Sequence, residues 1–369
     1  MMGASALSPI LAEVARAFPD QPAAMVQMIV VLPGLVSLPF SLLAGRFAMF
    51  APRKILVLCA MLISVIGGLV PLLFHASMAP LLLASVIVGL GSGLLVPSIT
   101  ALISDHFEGH ERGVMMGLQS TFVNGGGMVI AVLGGLLARV FWPYAYFVFL
   151  IFIPAAVTVA ALLPRGAPVA VTDGKGLAFS RTLLYISAVS FCFSLLNTTY
   201  GTNVAMYLDS AHLGDAASAG VAASMMSAIG ILAGLLFGRI FRAFRTMIMP
   251  MAIGLMSAGM FLTFSASSLP LVFAGGLLCG AGVATLMPLG MVLATHGIPP
   301  QSSAMAIAIF LAACSLGSFI SPFVVNALAA LTGDSGAHSR FLVAGIGLLA
   351  LFAVTLTKEL RTRHTSHMT

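Results

Sequence analysis

The sequence predicts an all-α polytopic membrane protein. Hydrophobic residues fill 60% of its 369 positions and charged residues only 7%, whereas an ordinary soluble domain is roughly 25% charged. A soluble fold of this size needs far more polar surface, so the medium around most of the chain is lipid. The apolar residues form continuous runs, many of them as long as the roughly 20 residues a helix needs to cross a bilayer. They do not alternate with polar residues, which excludes a closed β-barrel.

In order, full spans are expected near 23–46, 55–75, 79–104, 113–138 and 142–163, and, beyond a polar break, near 182–208, 217–241, 246–266, 269–296, 303–331 and 340–357. The segment before them, MMGASALSPILAEVARAFPD, reads as the outer half of a further span whose beginning lies upstream of Met1. The expected organisation is a six-helix half over 1–163 with its first span incomplete, a cytoplasmic linker over 164–181, and a second six-helix half with a cytoplasmic tail over 182–369.

Lys and Arg sort unevenly between alternate loops. Thirteen (Arg46, Arg53, Lys54, Arg112, Arg165, Lys175, Arg181, Arg239, Arg242, Arg245, Lys358, Arg361 and Arg363) fall on one side, and Arg16, Arg139 and Arg340 on the other. The positive-inside rule makes the first side cytoplasmic. This predicts a multi-pass protein of the inner (plasma) membrane with a cytoplasmic C-terminus. The net charge of +6 is therefore a topology signal, and no nucleic-acid partner is expected. Cys59, Cys192, Cys279 and Cys314 lie in apolar runs without C-x-x-C spacing, which argues against a metal or disulfide role.

An internal repeat runs through the chain. GLGSGLLVPSITALISDHF, from Gly89, aligns with GAGVATLMPLGMVLATHGI, from Gly280: Gly89 matches Gly280, Gly91 matches Gly282 and Pro97 matches Pro288, all at an offset of 191. Gly126 and Gly317 continue the same offset, and LLAGRF echoes LLFGRI at an offset of 193. Two related six-helix halves are a transporter signature, with the solute site near the midplane.

With these residues in view, the chain resembles the major facilitator superfamily. The resemblance implies twelve helices in two halves that rock about a central cavity, moving a small-molecule substrate by alternating access. The family's loop between helices two and three runs Gly, three residues, Asp, a basic residue, one residue, Gly and two basic residues. Gly45, Arg53 and Lys54 fit this pattern, while Met49, Phe50 and Pro52 replace the Asp, its basic neighbour and the second Gly. In the family this loop belongs to a cytoplasmic latch whose Asp faces the N-terminus of helix eleven, where the helix dipole favours an anion. Met49 supplies no anion. The expectation is a weakened inner gate of Arg46, Arg53, Lys54 and Arg112, in which Arg53 pairs with Asp105. The family's antiporters often carry Gly-Pro, two residues and Gly-Gly in helix five; here Gly134 and Gly135 are present, but Ile130 and Ala131 replace the Gly-Pro pair.

Membrane-buried carboxylates commonly mark proton relays, yet all ten acids fall at span ends or in loops. The coupling group lies upstream of Met1, or Glu13 or Asp209 reaches inward, or transport is not proton-coupled; Glu13 is the best visible carboxylate candidate, its alternative role being a solvated outer-end charge. Polar groups inside spans are few. Asn197, Tyr200 and Asn203 recur at three-residue spacing in the seventh helix, with Gly201 a place for it to bend. Asn124, Gln119 and Gln27 lie in other spans. Each is a candidate solute contact or, alternatively, polar glue between helices. Phe191, Phe193, Met225, Met226, Met287 and Met291 are candidate apolar lining.

An enzyme is not expected, since no nucleophile–base set, metal-ligand cluster or phosphate loop is present. No cofactor is expected either. The expected function is transport of a small organic solute by a monomer in the lipid bilayer. Export of a drug-like or hydrophobic compound comes first, uptake of a neutral metabolite such as a sugar second, and a non-transporting sensor or scaffold on the same fold third.

Overall fold

The structure, a computed structural model, describes residues 7–107, 109–163, 180–244, 247–295, 303–332 and 336–366. Within its helices the side chains at 45–46, 48–49, 104–105, 109–110, 112–114, 116–117, 120–121, 124, 233–244, 295, 303–305 and 362–366 lie outside that description.

The chain is divided into two compact units, Met1–Gly174 and Lys175–Thr369. In the first, a 3-10 turn (Ser8–Ile10) leads into α1 (Leu11–Ala17), followed by α2 (Ala23–Phe50), α3 (Arg53–Leu73), α4 (Met78–His106) and α5 (Gly109–Val140). A 3-10 stretch (Trp142–Ile151) then continues as α6 (Phe152–Leu162). The second unit holds α7 (Arg181–Ser210), α8 (Ala216–Phe244), α9 (Ile248–Phe264), α10 (Leu269–Thr295), α11 (Ser303–Ala330) and α12 (Ala337–Ser366). Among the described residues, eight helices are long and apolar enough to cross a membrane, and three shorter apolar stretches (Gly125–Val140, Ala216–Leu232 and Ile248–Phe264) accompany them.

The punctuation of these helices follows local chemistry. Pro22 and Pro52 stand immediately before α2 and α3, where a missing N–H costs nothing. Ser180 caps α7 by accepting from the Thr182 amide at 3.2 Å. Asp215 caps α8, its Oδ1 accepting from Ser218 N at 3.0 Å and Ser218 Oγ at 3.1 Å. α7 ends in a Schellman turn: Leu213 N donates to Leu208 O and His212 N to Asp209 O. The left-handed position of this turn, where glycine is usual, is held by His212 at φ 53°.

The repeated glycines do equivalent work in the two units. A Cβ on Gly89 of α4 would meet Pro33 and Val36 of α2, and a Cβ on Gly280 of α10 would meet Met226 and Ile229 of α8. The contacted residues are themselves offset by 193. Gly91 lies against Ala60 and Ser64 of α3, and Gly282 against Ala252 and Met256 of α9, at an offset of 192. Each Gly-x-Gly thus seats one helix against two neighbours, the first glycine facing one and the second the other. Close approach through small residues is how helices associate in lipid, where no hydrophobic force draws them together.

The outer ends, by the predicted sidedness, are closed by a histidine among aromatic rings. In the first unit His75, after α3, meets Phe141 at 5.3 Å and Trp142 at 6.2 Å. In the second, His338 of α12 meets Phe264 at 4.2 Å and Tyr207 at 6.0 Å. The 3-10 stretch has three residues per turn; Phe141, Tyr144 and Phe147 follow one another in a column with centroids 5.4 and 5.3 Å apart.

Two sequence expectations are corrected here. The expected spans near 23–46 and 55–75 leave residues 47–54 as a loop, but α2 continues to Phe50 and only Ala51 and Pro52 separate it from α3. Arg340 was assigned to an outer loop, but it lies inside the first turns of α12 and is 7% exposed. Both errors come from ending a helix where a cation appears, although a long cationic side chain can remain helical and find a partner.

Candidate functional site

α7 carries the densest polar group in the chain, and the structure divides it. Tyr200 is fully buried; its hydroxyl donates to Val272 O of α10 at 3.0 Å. Its ring meets Phe341 of α12 edge-on at 6.1 Å, and its hydroxyl fills the space beside Gly276. One turn on, Asn203 is 2% exposed. Its Nδ2 donates to Thr199 O and to Thr202 Oγ1, both at 3.0 Å, which turns Oδ1 outward to accept from Arg340 Nη1 at 2.8 Å. Tyr200 and Asn203 therefore have the geometry of inter-helix polar glue.

Asn197 differs. It is half-buried, and its Oδ1 has no hydrogen-bond partner among the described residues. The three residues follow a helix of about 100° per residue, so three-residue steps sweep around it and separate Asn197 from Asn203 by roughly 120°. α7 runs unbroken through Gly201.

In the first unit, half-buried Gln119 of α5 donates to Thr100 Oγ1 of α4 at 3.3 Å. Gln27 of α2 is 1% exposed. The side chain of Asn124 lies outside the described residues. Glu13 pairs with Arg16 at 3.3 Å within α1, both side chains partly in solvent; an exposed i,i+3 pair of this kind contributes little to stability.

The motif between α2 and α3 acquires a role from Lys54. Its Nζ donates to Ala160 O at 2.7 Å and to Leu163 O at 2.5 Å. A cation at the C-terminus of α6 satisfies carbonyls that the helix cannot pair and complements its dipole. Arg53 opens α3 and is half-buried. Gly45 and Arg46 fall in the last turns of α2. The side chains of Arg46, Arg112 and Asp105 lie outside the described residues, and so does the expected Arg53–Asp105 pair.

Three features escaped the sequence reading. Arg340 is one. Another is Lys358, whose Nζ stands 2.9 Å from the ring centroid of Tyr185 and joins the C-terminal part of α12 to the first turns of α7. The third is a run of serines on α7, Ser187, Ser190 and Ser194, whose spacing of three and four is visible in the sequence. The described residues contain no group of three or more His, Cys, Asp or Glu arranged for a metal ion, and all four cysteines are free.

Comparison with known proteins agrees with this architecture. The profile of the Major Facilitator Superfamily matches residues 1–245 and 186–367. No curated protein sequence matches significantly. Among solved structures, an inward-facing bacterial homologue of the human lysosomal transporter Spinster is similar at a TM-score of 0.73 and 15% identity, over 97% of this chain and 95% of that one. A D-xylose–proton symporter is similar at 0.72 and 16%, over 95% and 94%. A POT-family peptide transporter in complex with sulfate is similar at 0.75 and 14%, over 98% and 92%. At these identities the structural likeness establishes the fold alone, while the profile covers both units. The chain is a multi-pass solute transporter and belongs to the Major Facilitator Superfamily.

Proposed function

We propose that the chain exports an uncharged, hydrophobic or weakly amphipathic organic molecule across the plasma membrane, its two units alternating access between the faces. The observation that carries this reading is the placement of charge. α10 and α11 contain no Asp, Glu, Lys or Arg, and α2, α4, α7 and α8 carry them only near their ends. Three cations near span ends have local partners: Lys54 on α6 carbonyls, Lys358 on Tyr185 and Arg340 on Asn203. Ionised groups in lipid are costly and tend to mark the passage of charged cargo. A chain without them at mid-span suits neutral cargo, and half-buried Asn197 and Gln119 supply polar contacts.

Reconstituted vesicles test this. Neutral amphipathic solutes should leave the cytoplasmic face faster than from protein-free vesicles, and organic anions of similar size should not. Preferential flux of anions would refute the reading; inward movement of a neutral sugar would replace export with uptake.

A further inference from the structure

α7 and α12 pack antiparallel, and three contacts fix their register. Arg340 meets Asn203 at 2.8 Å, an added Cβ on Gly347 would meet Leu196, and Lys358 Nζ stands 2.9 Å from the ring centroid of Tyr185. From the first contact to the second, α12 advances seven positions (340 to 347) and α7 retreats seven (203 to 196). To the third, α12 advances eighteen (340 to 358) and α7 retreats eighteen (203 to 185). The same register sets Arg361 opposite position 182, so Arg361 and Arg181 stand within about one residue, roughly 1.5 Å of rise, of the same level.

Arg181 lies one turn before Tyr185, and Arg361 one turn beyond Lys358. At about 100° per residue, each arginine falls within roughly 60° of the contact residue on its own helix. Three cations from two helices therefore gather where α7 begins and α12 ends, and all three are exposed. Glu359 is the one acid in residues 181–185 and 354–361. It lies roughly 100° round α12 from Lys358 and about 160° from Arg361, so the group stays net positive.

The surface next to these cations is apolar. Leu184, Ala188 and Cys192 continue the exposed stripe of α7 from Arg181, and exposed Val354 lies one turn before Lys358 on α12. Arginine offers a phosphate parallel N–H donors, and basic clusters at the end of a span attract anionic lipid. Two guanidinium groups at one level, with hydrocarbon surface leading away from them along the span, match a molecule that is anionic at one end and apolar along its length. A soluble anion uses the first feature and not the second.

We propose that Arg181 and Arg361, with Lys358 one turn deeper, hold the phosphodiester of an anionic phospholipid, whose acyl chains run along Leu184, Ala188 and Val354. Bound there, the lipid ties the first turn of α7 to the last turns of α12 and reinforces the contact between Lys358 and Tyr185. The site needs only the membrane setting of the second unit and holds whatever solute the chain moves.

The test titrates the purified full chain, in neutral-detergent micelles, with phosphatidylglycerol or with zwitterionic phosphatidylcholine of the same acyl chains. Native mass spectrometry of the folded protein reads the bound lipid. Phosphatidylglycerol should bind more tightly. Arg181→Gln and Arg361→Gln should each weaken it roughly fivefold, and the double variant about thirtyfold, with phosphatidylcholine unaffected. Both side chains are exposed, so lipid-free variants should melt as the wild type does. Lys358 stays in place, because its loss would also break the contact with Tyr185. Arg139→Gln, on α5 of the first unit, should keep the full affinity. Inorganic phosphate and glycerol 3-phosphate should not displace the lipid. Equal binding of the two lipids, an unchanged phosphatidylglycerol affinity in the double variant, or an equal loss in Arg139→Gln overturns the site. Displacement by either soluble phosphate overturns the lipid as its occupant and leaves a plain anion site.

Discussion

Arg340 and Asn203 form a buried cross-link between α12 and α7, with Nη1 2.8 Å from Oδ1 and the two residues 7% and 2% exposed. Asn203 is held for this task by its two bonds to Thr199 and Thr202. A hydrogen bond to a charged group typically contributes about 1.5–3 kcal/mol. Asn203→Leu should therefore lower the thermal midpoint sharply, and Arg340→Met should do the same. The double variant should recover part of the loss, a coupling that a melting cycle of the four proteins would reveal. Strict additivity would mean that the two residues act separately.

Lys54 caps α6 through the carbonyls of Ala160 and Leu163. Lys54→Met removes both donors and the favourable charge at the helix end, together worth about 1 kcal/mol. Hydrogen exchange at the last turn of α6 should accelerate in that variant, while Lys54→Arg should restore most of the protection. Unchanged exchange in Lys54→Met would remove the cap from the account.

Gly89 and Gly280 allow α4 and α10 to approach α2 and α8. A Cβ at Gly280 collides with Met226 backbone and Ile229, so Gly280→Ala should destabilise by about 1–3 kcal/mol through overpacking. Gly89→Ala should act in the same direction because its neighbours are the repeat equivalents. Gly34, with nothing within 4 Å of an added Cβ, serves as the control and should tolerate alanine. Equal melting of all three variants would contradict the packing.

His212 holds a left-handed backbone at φ 53°, a conformation that costs side-chain-bearing residues about 1–2 kcal/mol. His212→Gly should melt at or above the wild type, and His212→Val clearly below it. The opposite order would show that the imidazole stabilises the turn by more than its backbone strain.

The membrane class and the repeat were legible because both depend on hydropathy and on Gly and Pro positions. Gly89 and Gly280 carry a spacing signal that maps directly onto helix contacts. The division of α7 was less legible. Asn197, Tyr200 and Asn203 look alike in sequence, and only the neighbouring Val272, Gly276 and Arg340, distant in sequence, show which of them are occupied. Arg340 was misplaced because a cation near an apolar run is ordinarily a boundary marker, and nothing local announces its partner 137 positions away. Lys54 matched a family motif, but its actual bonds go to α6 carbonyls, which any sequence supplies and no pattern marks.

Two-sided access is the claim on which the transport account turns, and reactivity at Asn197 measures it most directly. With the four native cysteines, of which Cys59 and Cys192 are exposed, replaced by serine, Asn197→Cys in oriented vesicles is treated with a membrane-impermeant thiol reagent from either face. Labelling from both faces, with the ratio shifted by a transported solute, is the predicted result. Labelling from one face only, unchanged by any transported solute, would contradict alternating access.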